Sequence, residues 1–282
     1  MPRHGNPAAA CSLVFLMAST TLALSPGAAR AQAPAAPSVF LEELTWVELR
    51  DAVAAGTTTV IVPTGGTEQN GPHMVLGKHN VLVKHKAGEA ARRLGNALVA
   101  PVMAYVPEGD VDPPSGHMRF PGTITTPPDV FEQVLEYAAR SLARHGFTDI
   151  ALMGDSGGNQ ASQMAVAERL NREWAEGPAR VHHLTAYYPG PGDDWLVEQG
   201  ERPEDVGSHA GMHDTSQFLF LDPSQLRPDQ FAVGTGTGPG GNGVNGNPAR
   251  ATAEYGERIL EMQIIAAVSQ IQELREASRT AP

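Results

Sequence analysis

The chain reads as an α/β protein with a largely parallel sheet covered by helices on both faces. Two observations predict this. Short β-branched or apolar runs alternate with longer segments of helical periodicity. Glycine (30) and proline (23) gather between those segments, as expected of loops carried on a rigid scaffold.

The elements follow in order. Residues 57–63 (TTTVIVP) form a short β-branched run that stops at Gly65-Gly66, the pattern of a buried strand. Residues 80–94 place Val81, Val83, Ala87 and Ala91 at helical spacing. Residues 97–106 (ALVAPVMAYV) predict a second strand. Pro127-Pro128-Asp129 opens a helix that runs to about Arg144, and Gly146 stops it. Residues 149–153 predict a third strand, which breaks at Gly154–Gly158 before a helix reaching about Glu176. Residues 180–188 predict a fourth. A shorter helix is expected over 215–221, a glycine-rich loop over 234–246, and a long amphipathic helix over 249–276. The glycine-rich loop lacks the lysine of a phosphate-binding loop and follows no clear strand, so it reads as a flexible connection.

The amino-terminal segment is read separately. Arg3, the apolar run Ser12–Leu24 and Ala29-Arg30-Ala31 have the layout of a cleaved secretory signal over residues 1–31. A retained anchor is the competing reading, although the apolar run is shorter than the roughly 20 residues a span needs. An Ala/Pro-rich linker over 32–39, a single domain over 40–276 and a tail over 277–282 complete the expected organisation. The one cysteine, Cys11, lies in the signal, so the exported chain would carry no disulfide and would suit a periplasmic or secreted location. Net charge is −11 and no basic cluster is present, which argues against nucleic acid and anionic membranes as partners.

In open parallel sheets, ligands bind beyond the carboxyl ends of the strands. Three polar clusters occupy such places. The first runs from Glu68 through His73 to His79. It brings one carboxylate and two imidazoles into twelve residues after a strand, as a metal site requires. The second is Gly154-Asp155-Ser156-Gly157-Gly158-Asn159. Its resemblance to the nucleophile loop of chymotrypsin-like proteases fails on context, because it sits between a strand and a helix of an α/β pattern. The third, Ser208–Ser216, carries His209, His213 and Asp214; Asp214 or Thr215 could equally cap a helix. His182 and His183 alternate on a strand and read as structural or solvated.

Taken in order, these clusters resemble the creatininase (creatinine amidohydrolase) family. Glu68-Gln69-Asn70-Gly71-Pro72-His73 is similar to the family's Glu-Gln-His-Gly-Pro-His, and His117-Met118-Arg119-Phe120-Pro121-Gly122-Thr123-Ile124 matches its His-x-x-Phe-Pro-Gly-Thr-Ile. His145-Gly146-Phe147, Gly154–Asn159, His209–Ser216 and Gly243–Thr252 match further motifs, so the resemblance spans roughly residues 40–276. It implies a three-layer creatininase-like fold, a small-molecule substrate, a homo-oligomer, and hydrolysis of a cyclic amide, lactam or other C–N bond at two divalent metals.

The resemblance implies metal ligands at Glu68, Asn70, His79, Ser156 and either Gly158 or Met212, and only Glu68 keeps the family's residue. His79 stands where a bridging Asp is expected, and a neutral imidazole offers one free nitrogen and cannot readily bridge two ions. A standard two-metal centre is therefore not expected. The sequence reading places one Zn, Mn or Fe ion on Glu68, His79 and Asp155, with His209 as proton shuttle and His117 lining the pocket. The competing readings are a metal-free small-molecule-binding protein, or metal-free chemistry by Asp155, Ser156 and His209, with Ser156 as a minor nucleophile candidate.

Overall fold

Four strands in the order β2-β1-β3-β4, all parallel, form the sheet on which the chain is built. The structure, a computed structural model, describes residues 1–2, 37–188 and 190–280. The expected signal over 1–31 lies almost wholly outside the described residues, as does the linker up to residue 36. No described helix is long and apolar enough to cross a membrane.

In chain order the main elements are α1 (Trp46–Ala54), β1 (Thr59–Thr64), α2 (Lys78–Leu94), β2 (Ala97–Val99), α3 (Pro128–Arg144) and β3 (Asp149–Gly154). They continue with α4 (Gly157–Glu173), β4 (Arg180–His183), α5 (Gly192–Glu198), α6 (Pro203–Val206), α7 (Met212–Leu221) and α8 (Ala253–Thr280). β1 lies between β2 and β3, with Val60 opposite both Leu98 and Ile150. β1 and β3 are buried along their whole length.

Strand side chains alternate between two cores, as the period of two demands. Val60, Val62, Ile150 and Leu152 face α3 and α4, where Phe131, Leu135, Val166 and Leu170 complete one core. Ile61, Ala151 and Met153 face the other way, against Val83, Ala87 and Ala90 of α2 and Ala267 and Ile271 of α8. The result is the expected sandwich of helices, parallel sheet and helices.

Several boundaries differ from the sequence expectation. The second strand stops at Val99 rather than Val106, because Pro101 has no N–H for the ladder. The chain still tracks β1 beyond that point, through Met103 N–H to Pro63 O at 3.0 Å. β4 ends at His183, five residues early. α7 begins at Met212, three residues early, and α8 runs from Ala253 to Thr280, into the expected tail. The linker also gives way to structure before residue 40: Val39 O accepts from Val99 N–H at 2.8 Å, and Phe40 packs on the α2 side of the sheet. α1, α5 and α6 have no counterpart in the periodicity. α1 nonetheless carries a legible start signal, a capping box between Thr45 and Glu48.

Candidate metal and substrate site

The loops that leave the carboxyl ends of the strands meet over a cavity of about 600 Å³. The β1 loop brings Glu68 and Gln69. The chain after β2 brings Glu108 and, on a 3-10 turn over Gly116–Arg119, His117. The turn after β3 brings Asp155 and Ser156, and the loop before α7 brings His209.

Glu68, His117 and His209 converge. One ligand atom from each lies within 4.8 Å of the other two. His117 Nε2 is 3.4 Å from Glu68 Oε2, and His209 Nδ1 is 3.7 Å from Glu68 Oε1. The two rings are stacked at 4.5 Å and tilted by 33°. Glu68 is 1% exposed, and its Oε2 accepts from no N–H or hydroxyl group, while the Glu108 carboxyl lies against the same carboxylate. A buried carboxylate with an imidazole nitrogen beside each of its oxygens is a donor set suited to a divalent ion. Burial, then the neighbouring Lys78, pushes the His209 pKa down to about 3; burial also lowers that of His117. Both rings are therefore neutral and keep a lone pair to offer. His209 Nε2 faces the Gln69 backbone carbonyl at 2.9 Å and the Gln69 side-chain amide at 3.0 Å; with the amide oxygen turned toward it, a proton on that nitrogen leaves Nδ1 free on the Glu68 side.

The trio expected from sequence, Glu68, His79 and Asp155, also comes together, but as a hydrogen-bonded chain. His79 Nε2 meets Glu68 Oε1 at 2.7 Å, and its Nδ1 meets Asp155 Oδ2 at 3.0 Å. Both nitrogens are committed, so the ring has no lone pair left for a metal. Burial and the Lys78 ammonium would lower the His79 pKa, yet the two carboxylates outweigh them and raise it, favouring the imidazolium. Asp155 is saturated as well: Lys86 Nζ donates to its Oδ1 at 3.0 Å, and the Tyr187 hydroxyl donates to the same oxygen. Burial alone would raise the Asp155 carboxyl, but Lys86 and His79 hold it down at about 2. Lys78 Nζ is bonded to Asp214 Oδ2 at 2.7 Å, and that oxygen also accepts from Ala210 N–H. Glu68, Asp155 and Asp214 are thus matched by His79, Lys78 and Lys86. The residues present fit one divalent ion at Glu68–His117–His209. They do not fit a second at His79 and Asp155, where side-chain cations already sit.

Asp155, Ser156 and His209 share no hydrogen bond with one another, and among the described residues Ser156 Oγ meets no base that could activate it. His73 is neutral and buried, 3.1 Å from Thr215 Oγ1, and belongs to the loop's packing. Asn70 donates its amide to the carbonyls of Glu68 and Val75. Met212 is buried in an apolar cluster with Leu196, Val206 and Ile259.

Sequence reasoning missed four participants. Glu108 lies beside Glu68, so close to the main chain that a Cβ on Gly66 would fall 2.4 Å from its Oε1. Burial first, then the Glu68 carboxylate, pushes its pKa up to about 11, so it holds a proton at neutral pH. Lys78, Lys86 and Tyr187 are the others. The two lysines carried a faint signal, since both fall on the buried face of α2 together with Leu82, Val83 and Ala87.

Comparison with known proteins gives one consistent answer. The family profile described as "Creatininase: Creatinine amidohydrolase" matches residues 42–271. The chain is 27% identical over 250 residues to creatinine amidohydrolase of Pseudomonas putida, covering 80% of this chain and 93% of that one. It is 29% identical over 221 residues to mycofactocin precursor peptide peptidase of Mycolicibacterium smegmatis, covering 71% and 78%. Among solved structures, a mutant creatininase superposes with a TM-score of 0.74 at 26% identity, over 84% of this chain and 99% of that one. A mutant creatininase of Zn–Zn type and a Mn creatininase, each at 26% identity and covering 84% of this chain and 98% of theirs, give 0.70 and 0.69.

Proposed function

The chain belongs to the creatininase family of amidohydrolases, and from that premise we propose that it hydrolyses a C–N bond of a small amide, lactam or peptide using a single divalent ion held by Glu68, His117 and His209. The observation that carries this reading is the buried Glu68 carboxylate with two neutral imidazoles against it, His117 Nε2 at 3.4 Å from Oε2 and His209 Nδ1 at 3.7 Å from Oε1. The Zn and Mn forms of similar enzymes support the choice of ion. Bound there, a divalent ion would polarise the scissile carbonyl and supply an activated water.

The rest of the chemistry belongs to the chain. Glu108, on the cavity wall beside Glu68, is the carboxyl assigned to give a proton to the departing nitrogen. His79, fixed between two carboxylates, supplies positive charge without needing an ion. The expected roles of His117 and His209 move accordingly, from pocket wall and proton shuttle to metal ligands. Ser156, with no base in reach, is not assigned the role of nucleophile.

Elemental analysis of the purified protein tests the reading: it predicts close to one equivalent of Zn or Mn. Less than about a tenth of an equivalent, with no uptake from added Zn, Mn or Fe, would leave a metal-free binding protein as the better description.

A further inference from the structure

On the cavity wall, four hydrogen-bond donors stand without a protein partner among the described residues. α4 is 17 residues long and starts at Gly157, and its N-cap, Ser156, makes no side-chain capping bond. The N–H groups of Gly157 and Gly158 meet no acceptor among the described residues. Ser156 is only 5% exposed, yet its hydroxyl is unpaired and lines the cavity. The Tyr188 hydroxyl is likewise unpaired, and a Cβ added to Gly157 would lie 3.8 Å from it. Gly158 can only be glycine, since a Cβ there would fall 2.2 Å from the Pro107 carbonyl oxygen. That close approach keeps the first turn of α4 free of side chains where it faces the cavity.

Such a cluster is suited to an anion. Helix N-termini present backbone donors and the positive end of the macrodipole. The acids around it are matched: Asp155 is paired with His79 and Lys86 and accepts from the Tyr187 hydroxyl, Asp214 is paired with Lys78, and Glu68 with His79. Asp193, elsewhere on the cavity wall, is paired with His213. The cradle is also close to the reacting centre: Asp155, the residue before Ser156, is joined to Glu68 through the His79 ring alone.

We propose that this cradle, formed by the N–H groups of Gly157 and Gly158 and the hydroxyls of Ser156 and Tyr188, binds a carboxylate of the substrate, so that the substrate class is small amides carrying a free carboxylate. The inference rests on the hydrolase reading above, and it makes Ser156 a specificity residue.

Binding of N-acetylglycine and N-acetylglycinamide, measured by calorimetry on EDTA-treated and on zinc-loaded protein, tests it. The acid should bind both forms at least about tenfold more tightly than the amide, as a charge-assisted contact requires. Ser156→Ala and Tyr188→Phe should each weaken the acid by about threefold to tenfold, the worth of one hydrogen bond, and leave the amide unchanged. Equal binding of acid and amide, insensitivity to both variants, or acid binding only by the zinc-loaded form would each overturn the cradle. Ser156-dependent acid binding in a protein that takes no zinc would uphold the cradle and overturn the metal reading.

Discussion

Nε2 of His79 lies 2.7 Å from Oε1 of Glu68, so the carboxylate that would hold a metal already leans on a protein cation. The other carboxylate oxygen faces His117. This geometry separates two ligand sets that the sequence alone does not. His117→Ala and His209→Ala should each remove bound metal, to below about a tenth of an equivalent. His79→Asn, in contrast, should keep most of it. Metal content of the three folded variants decides the matter, and loss in His79→Asn with retention in the other two would refute the assignment.

Gln69 orients both imidazoles. Its side-chain nitrogen is 2.9 Å from His117 Nδ1 and 3.0 Å from His209 Nε2, and its Oε1 accepts from Gly71 N–H. Donation by the amide to His117 Nδ1 puts that ring's proton on Nε2, facing Glu68. Coordination through Nε2 requires the opposite tautomer, with the amide turned so that its oxygen accepts from Nδ1 and gives up its bond from Gly71 N–H. Gln69→Leu should therefore weaken metal affinity by about 10–100-fold, the usual effect of losing an outer partner. Competition with a chelator of known affinity measures this, and unchanged affinity would show that the amide has no part in it.

The pairing of Asp155 with Lys86 predicts a large stability effect. Lys86 is fully buried, and Asp155→Asn would leave its ammonium without a counter-charge. The expected loss is about 3–5 kcal/mol. Adding Lys86→Met should recover part of it, because the uncompensated charge is then gone. Urea midpoints of the single and double variants check both statements.

Glu108 gives a pH signature. Its folded pKa of about 11 lies far above the ordinary 4.5, so between those values the folded chain keeps a proton that the unfolded chain has released. Its contribution to stability is complete below the lower value and is lost as pH rises toward the upper one. Glu108→Gln supplies a neutral isostere. In EDTA-treated protein it should flatten the fall in stability between pH 6 and pH 9 by up to about 1.4 kcal/mol per pH unit relative to the parent. With a working substrate the same variant should lose about 10²–10⁴ in kcat. A parallel pH dependence in parent and variant would mean that Glu108 is ionised.

The sheet was legible because its strands are short runs bounded by glycine, β-branched at Thr59–Thr64 and apolar at Asp149–Gly154. The loops holding Glu68, His117 and His209 were legible as motifs, but their convergence was not. Those three residues are separated by dozens of positions, and only the common edge of the parallel sheet brings them together. His79 and Asp155 were singled out as ligand types, which they are. What sequence does not carry is the occupancy of their polar atoms: Lys86 and Tyr187 claim Asp155 from elements that look apolar or irregular in the sequence. Glu108 follows a run read as strand, and nothing in its neighbours marks it as buried. The lysines of α2 show why periodicity alone misleads, for a core-facing Lys is read as a break in the stripe when it is a counter-ion to a carboxylate across the interior.

The matching of Glu68, Asp155 and Asp214 by His79, Lys78 and Lys86 has a consequence for handling the protein. In many metalloproteins the ion glues the acids together, and a chelator unravels the chain. Here the acids are held by the chain's own cations, which separates loading of the ion from folding. The stripped protein should therefore stay folded. If the proposed site holds its ion, one preparation should be open to emptying and refilling with zinc, manganese or iron in turn, and the ions compared on the same molecules without a refolding step between them.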